Sequence, residues 1–122
     1  MDDRERKEAG RAAEDVALRH LERHGLTLIV RNYRCKGGEI DLVMLDGATL
    51  VLVEVRYRAS AQFGGAAASV TWRKQQRLAK AAQHLLLVRP QLRACPARFD
   101  VVAIAADGGA TQVNWITNAF TL

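Results

Sequence analysis

A chain of 122 residues, 49% hydrophobic and 25% charged, has the length of one globular domain and enough apolar side chain to bury a core. Eighteen Lys and Arg against 13 acids leave a net charge of +5, which suits an anionic partner such as nucleic acid without demanding one. The charged opening MDDRERKEAGRAAEDVALRH excludes a secretory signal, and no apolar run approaches the ~18 residues of a membrane span, so a soluble, cytoplasmic protein is expected.

Residues 4–24 set Ala9, Ala13, Val16, Ala17 and Leu21 at helical spacing before Gly25, which predicts an amphipathic first helix. LTLIVRNYR at 26–34 is β-branched and apolar and predicts a strand, with KGG as the turn behind it. Residues 39–45 and 49–57 predict two more strands joined at Asp46-Gly47, a strong hairpin signal. RASAQFGGAAAS at 58–69 predicts a small-residue loop. Its FGG at 63–65 lacks a phosphate-loop lysine and stands too far ahead of the next helix to be one. Ser69 or Thr71 caps a second helix that runs to Val88 and is ended by Arg89-Pro90. RFDVVAIAA at 98–106 is an almost unbroken apolar strand, DGG a turn, and TQVNWI a last strand. The order αβββαββ over residues 1–122 gives a single α/β domain, a mixed β-sheet flanked by helices. Cys35 and Cys95 are far apart, form no CxxC pair, and read as free thiols.

The hairpin GEIDLVMLDGATLVLVEVRYR carries two acids, Asp41 and Glu54, inside an otherwise apolar ribbon. Side chains in a strand alternate faces, so Leu50, Leu52, Glu54, Arg56 and Arg58 share one side of their strand. A two-residue turn at Asp46-Gly47 makes Asp41 the diagonal neighbour of Glu54, a four-residue loop sets the two directly opposite, and a three-residue loop separates them. Either of the first two registers leaves the carboxylates roughly 5–8 Å apart on one face. Two like charges on an apolar hairpin repel and resist desolvation unless a cation or proton compensates. Carboxylate oxygens suit Mg²⁺ or Mn²⁺, and the missing Cys/His spacing speaks against zinc. The alternative is a surface ion network in which Arg56 neutralises the acids.

On the second helix Arg73, Arg77 and Lys80, with His84, fall on one face, as a phosphate-tracking surface or as an ordinary solvated one. His20 and His24 stand at i, i+4, but HLERH lacks the HExxH order. Trp72 and Tyr57 can stack on bases, although aromatics at sheet–helix joints more often pack. Asp100 is expected to hydrogen-bond structurally.

GEID followed by a strand ending VEVR, with helices on either side, resembles the restriction-endonuclease-like, or PD-(D/E)XK, superfamily of metal-dependent nucleases. From GRAAEDVA through RNYRCKGGEIDLV, LVEVRYR, FGG, RFDVVAI and NAF, almost the whole chain resembles the YraN-like family of bacterial proteins. The resemblance implies a restriction-endonuclease-like fold in which Asp41 and Glu54 hold a metal. It also implies that Glu14 is the extra acid that Holliday-junction resolvases carry on their first helix. Arg56 stands where the motif has lysine, and an arginine that stays protonated supplies only electrostatic help. Lys74, on the inward stripe of the second helix with Leu78 and Leu85, is the substitute candidate, with an ordinary solvated lysine at the helix start as the alternative. The implied activity is Mg²⁺- or Mn²⁺-dependent hydrolysis of DNA, branched or single-stranded, by a chain that pairs as a homodimer. The alternative is a nucleic-acid-binding or complex-assembly module with the nuclease fold and no turnover.

Overall fold

In the computed structural model, which describes residues 2–58, 69–107 and 109–121, the strands hydrogen-bond in the order of the chain. They are β1 (Thr27–Cys35), β2 (Gly38–Asp46), β3 (Thr49–Arg58), β4 (Ala97–Asp107) and β5 (Ala110–Phe120). Neighbours are antiparallel except β3 and β4, which run parallel. A parallel pair needs a crossover, and α2 (Trp72–Val88) with the 3-10 turn Pro90–Ala94 supplies it. With α1 (Asp3–Arg23) at the front, the order is the αβββαββ read from the sequence, an open mixed sheet with two helices. The FGG stretch lies outside the described residues. No helix among them is long and apolar enough to cross a membrane.

The helices cover opposite faces. Ala13, Ala17 and Leu21 of α1 pack on Leu42, Met44, Val51, Val53, Val102 and Ile104. Leu78, Ala81 and Leu85 of α2 pack on Ile40, Val43, Leu50, Leu52 and Val101. Central strands buried on both sides have no polar face to show, which is why LVLV and VVAI read as continuous apolar runs. Each helix starts at a side-chain cap: Asp2 accepts from the Glu5 N–H at 2.8 Å and Thr71 from the Lys74 N–H at 3.1 Å. Gly38 lets α2 approach β2, because a Cβ there would stand 2.2 Å from the Arg77 carbonyl oxygen and 2.8 Å from the Ala81 nitrogen.

The β2–β3 turn is centred on Gly47-Ala48, one residue later than Asp46-Gly47, since Asp46 pairs with Thr49. Gly47 takes a φ of +59°, the positive first central position of a type II′ turn. The resulting register, with Leu45 opposite Leu50 and Leu42 opposite Val53, is the one that continues to Asp41 opposite Glu54.

Simple alternation fails in the middle of β1. Arg31 pairs with Glu14 and Asp15 of α1, yet Tyr33, two residues on, hydrogen-bonds His84 of α2. Asn32 between them has a φ of +55°. Opposite, Leu42 packs on the α1 side and Ile40 on the α2 side, so β2 bends at Asp41 in the same way.

At the other end Asp100, fully buried, behaves as the sequence suggested. It accepts from Arg98 Nε at 3.0 Å, Trp115 Nε1 at 2.9 Å and the Asn118 N–H at 2.8 Å, and Arg98 reaches on to Asp46. Two of these donors, Trp115 and Asn118, bind β5 to β4, and β5 runs to Phe120, past Ile116, where the expected last strand stopped.

Candidate active site

β2 and β3 stay paired as far as Leu42 and Val53, and beyond that point the Asp41 side chain fills the gap: its Oδ2 accepts the Val55 N–H at 2.8 Å. A backbone donor thus fixes the carboxylate where the strands part. Glu54, 3% exposed, points to the α2 side and hydrogen-bonds Asp41. Burial, then the Asp41 hydrogen bond and charge, push its carboxyl from 4.5 up to about 9, against the opposing pull of Lys74 and Arg56. Desolvation and the neighbouring acid outweigh two cations, so the pair keeps a proton at neutral pH.

Lys74 reaches this pair from α2, with Nζ 3.6 Å from Glu54 Oε2. Its inward stripe is therefore real, and the solvated-lysine alternative is not what the structure has. Arg56 and Arg58 follow Glu54 on the same face of β3, and the Arg58 Nε is buried with no hydrogen-bond partner among the described residues. Sequence alternation placed Arg58 there and assigned it no role; the unpaired donor is what singles it out.

Glu14 does not join the acids. Its Oε1 accepts from Arg31 Nε at 3.2 Å, and Asp15 takes the other side of that guanidinium at 2.7 Å. Among the described residues no third His, Cys, Asp or Glu completes a metal-ligating group. His20 and His24 turn toward the edge of Trp115, at ring separations of 6.1 and 5.4 Å. Tyr57 lines an open apolar groove of about 160 Å³ with Ala9, Val16 and Ile104 on the α1 side.

Arg73, Arg77 and Lys80 lie exposed along α2, and none forms an ion pair among the described residues. Their line starts beside the helix end that sends Lys74 inward. Arg73 and Lys74 sit in a first turn that has no acid, whereas α1 begins with Asp3 and Glu5. Positive side chains at a helix start oppose the helix dipole, so this corner concentrates uncompensated positive charge around a buried acid pair.

These features define a class: an α/β protein whose central sheet holds a buried carboxyl pair, met by a lysine from the crossover helix. The profile of the uncharacterised protein family UPF0102 matches residues 13–104, and the chain belongs to that family. It is 55% identical over 116 residues to a UPF0102 protein of Stutzerimonas stutzeri, covering 95% of this chain and 97% of that one. A UPF0102 protein of Saccharophagus degradans is 56% identical over 94% of both chains. UPF0102 protein HEAR0176 of Herminiimonas arsenicoxydans is 58% identical over 93% of this chain and 87% of its own.

Proposed function

We propose that the chain is a Mg²⁺- or Mn²⁺-dependent nuclease of restriction-endonuclease-like fold that hydrolyses phosphodiester bonds in DNA. The supporting observation is the convergence of Asp41, Glu54 and Lys74 at the parting of β2 and β3. The residues fit a divalent ion: two hard-oxygen donors are pressed together, and burial, then Asp41, drives Glu54 up to about 9. Bound there, the ion would acidify a water and polarise a phosphoryl oxygen.

The chain's own groups take the remaining roles. Asp41 is held by the Val55 N–H, and Glu54 would release its proton to solvent in order to serve as a ligand beside it. Lys74 Nζ, beside the Glu54 carboxyl, supplies the mobile ammonium that Arg56 cannot. Arg56 would present its guanidinium to phosphoryl oxygens on the same face. Arg73, Arg77 and Lys80 track the strand beyond.

The test is cleavage of labelled duplex, junction and single-stranded DNA with Mg²⁺, Mn²⁺ or chelator. Wild type yields products only with a cation, and Asp41→Asn lowers the rate by at least about 100-fold with its circular dichroism unchanged. Cleavage that survives Asp41→Asn removes the assignment. A second reading, a DNA-binding module without turnover, is favoured by the lack of a third acid among the described residues. It predicts steeply salt-dependent binding and no products.

A further inference from the structure

The two tryptophans have opposite surroundings. Trp115 donates its Nε1–H to Asp100 and meets the histidine rings of α1 edge-on. Trp72 is 73% exposed, in a residue type that folding usually covers. It does not fill a sheet–helix joint, as aromatics there commonly do. It is the first residue of α2, behind the Thr71 cap, so its ring stands on a rigid element and not on a loop. Lys74, two residues on, turns inward to Glu54, while Arg73 between them is exposed and begins the unpaired line through Arg77 to Lys80. A bare indole thus opens the helix whose exposed side carries these cations and whose inward side sends Lys74 to the acid pair.

We propose that Trp72 is the stacking platform for an unpaired base of the DNA strand whose phosphates follow Arg73, Arg77 and Lys80. DNA with unpaired nucleotides, and not fully paired duplex, is then what this site takes. This rests on the nucleic-acid reading above and narrows its substrate. Charge selects the occupant: three exposed cations with no ion pair among the described residues, on the helix that the exposed ring begins, suit a polyanion with flat bases. The other large exposed apolar residues of α2, Leu87 and Val88, lie at its far end, about 22 Å away at 1.5 Å per residue, so among the described residues of this helix none extends the ring into an apolar patch. Paired bases hide their faces in the stack, and an indole gains a base only where the strand is already open.

Anisotropy titrations of the full chain in chelator, which blocks cleavage, test this with three probes: a labelled single strand, the same strand with central abasic sites, and the matching duplex. Trp72→Ala weakens binding of the base-bearing strand about 10- to 100-fold. It leaves the abasic strand and duplex within about twofold, and Trp72→Phe retains most of the affinity. The strand also quenches indole fluorescence in wild type and not in Trp72→Phe. Equal binding of all probes by wild type and Trp72→Ala, with loss only on joint Arg73→Ala and Arg77→Ala substitution, overturns the stacking role and leaves the nuclease reading intact. If wild type binds none of the probes, both fall.

Discussion

Glu54→Gln keeps the volume and most of the hydrogen-bonding reach of the buried side chain but removes its titration. In the folded chain the Glu54 carboxyl sits at about 9, above its ordinary 4.5, so between those values the folded state holds a proton that the unfolded state has released. The stability that this proton contributes is complete below 4.5 and is lost as pH rises toward about 9. At about 1.4 kcal/mol per pH unit, the stretch from 4.5 to 7 removes about 3 kcal/mol, a large share of a small domain's stability. Urea unfolding in chelator at mildly acidic and mildly alkaline pH reads it directly. Wild type loses several kcal/mol across that range, and Glu54→Gln, near wild type in acid, stays level. On the proposed cation reading, Mg²⁺ added at alkaline pH restores wild type, because a ligand of the folded pair alone stabilises the folded state, and leaves the glutamine variant unmoved. Parallel pH profiles for the two proteins would refute the claim that Asp41 and burial hold Glu54 protonated.

Gly38→Ala drives a methyl group into the Arg77 carbonyl of α2, with 2.2 Å where contact needs well over 3 Å; urea midpoints should report a loss of about 3 kcal/mol. Asp100→Ala strips Arg98, Trp115 and Asn118 of a shared buried acceptor and should cost about 3–5 kcal/mol by the same assay. Lys74→Met should lower the proposed cleavage about 100-fold while DNA affinity, read by anisotropy, changes little, because one ammonium at the acid pair is lost and the exposed stripe is intact.

The element order was legible because punctuation is dense: Gly25, Gly37 and Gly47 take positive φ at three element ends, and Arg89-Pro90 closes α2. The turn centre was misplaced by one residue because Asp46-Gly47 and Gly47-Ala48 both contain the glycine, and only the pairing of Asp46 with Thr49 decides between them. Lys74 was legible from helical spacing with Leu78 and Leu85. The fate of Glu14 was not. Arg31 reaches it through a reversal of β1 at Asn32, a left-handed residue in a strand with no glycine or proline to announce it. The true end of β5 was hidden for a similar reason, since Asn118 takes a φ of +51° and is held by a carboxylate 18 residues earlier. Local propensity carries no record of such a distant partner. Trp72 was misleading because exposure depends on what the fold leaves beside a side chain, and its type argues for burial.

Sheet order that follows chain order divides the pocket between near and distant parts of the sequence. Asp41 and Glu54 come from the β2–β3 hairpin, whose strands are neighbours in the chain, while Lys74 comes from the crossover that the parallel β3–β4 pairing requires. The acids meet through a short-range pairing and the ammonium through a long-range one, so the seating of the crossover alone decides whether the lysine reaches the carboxyls.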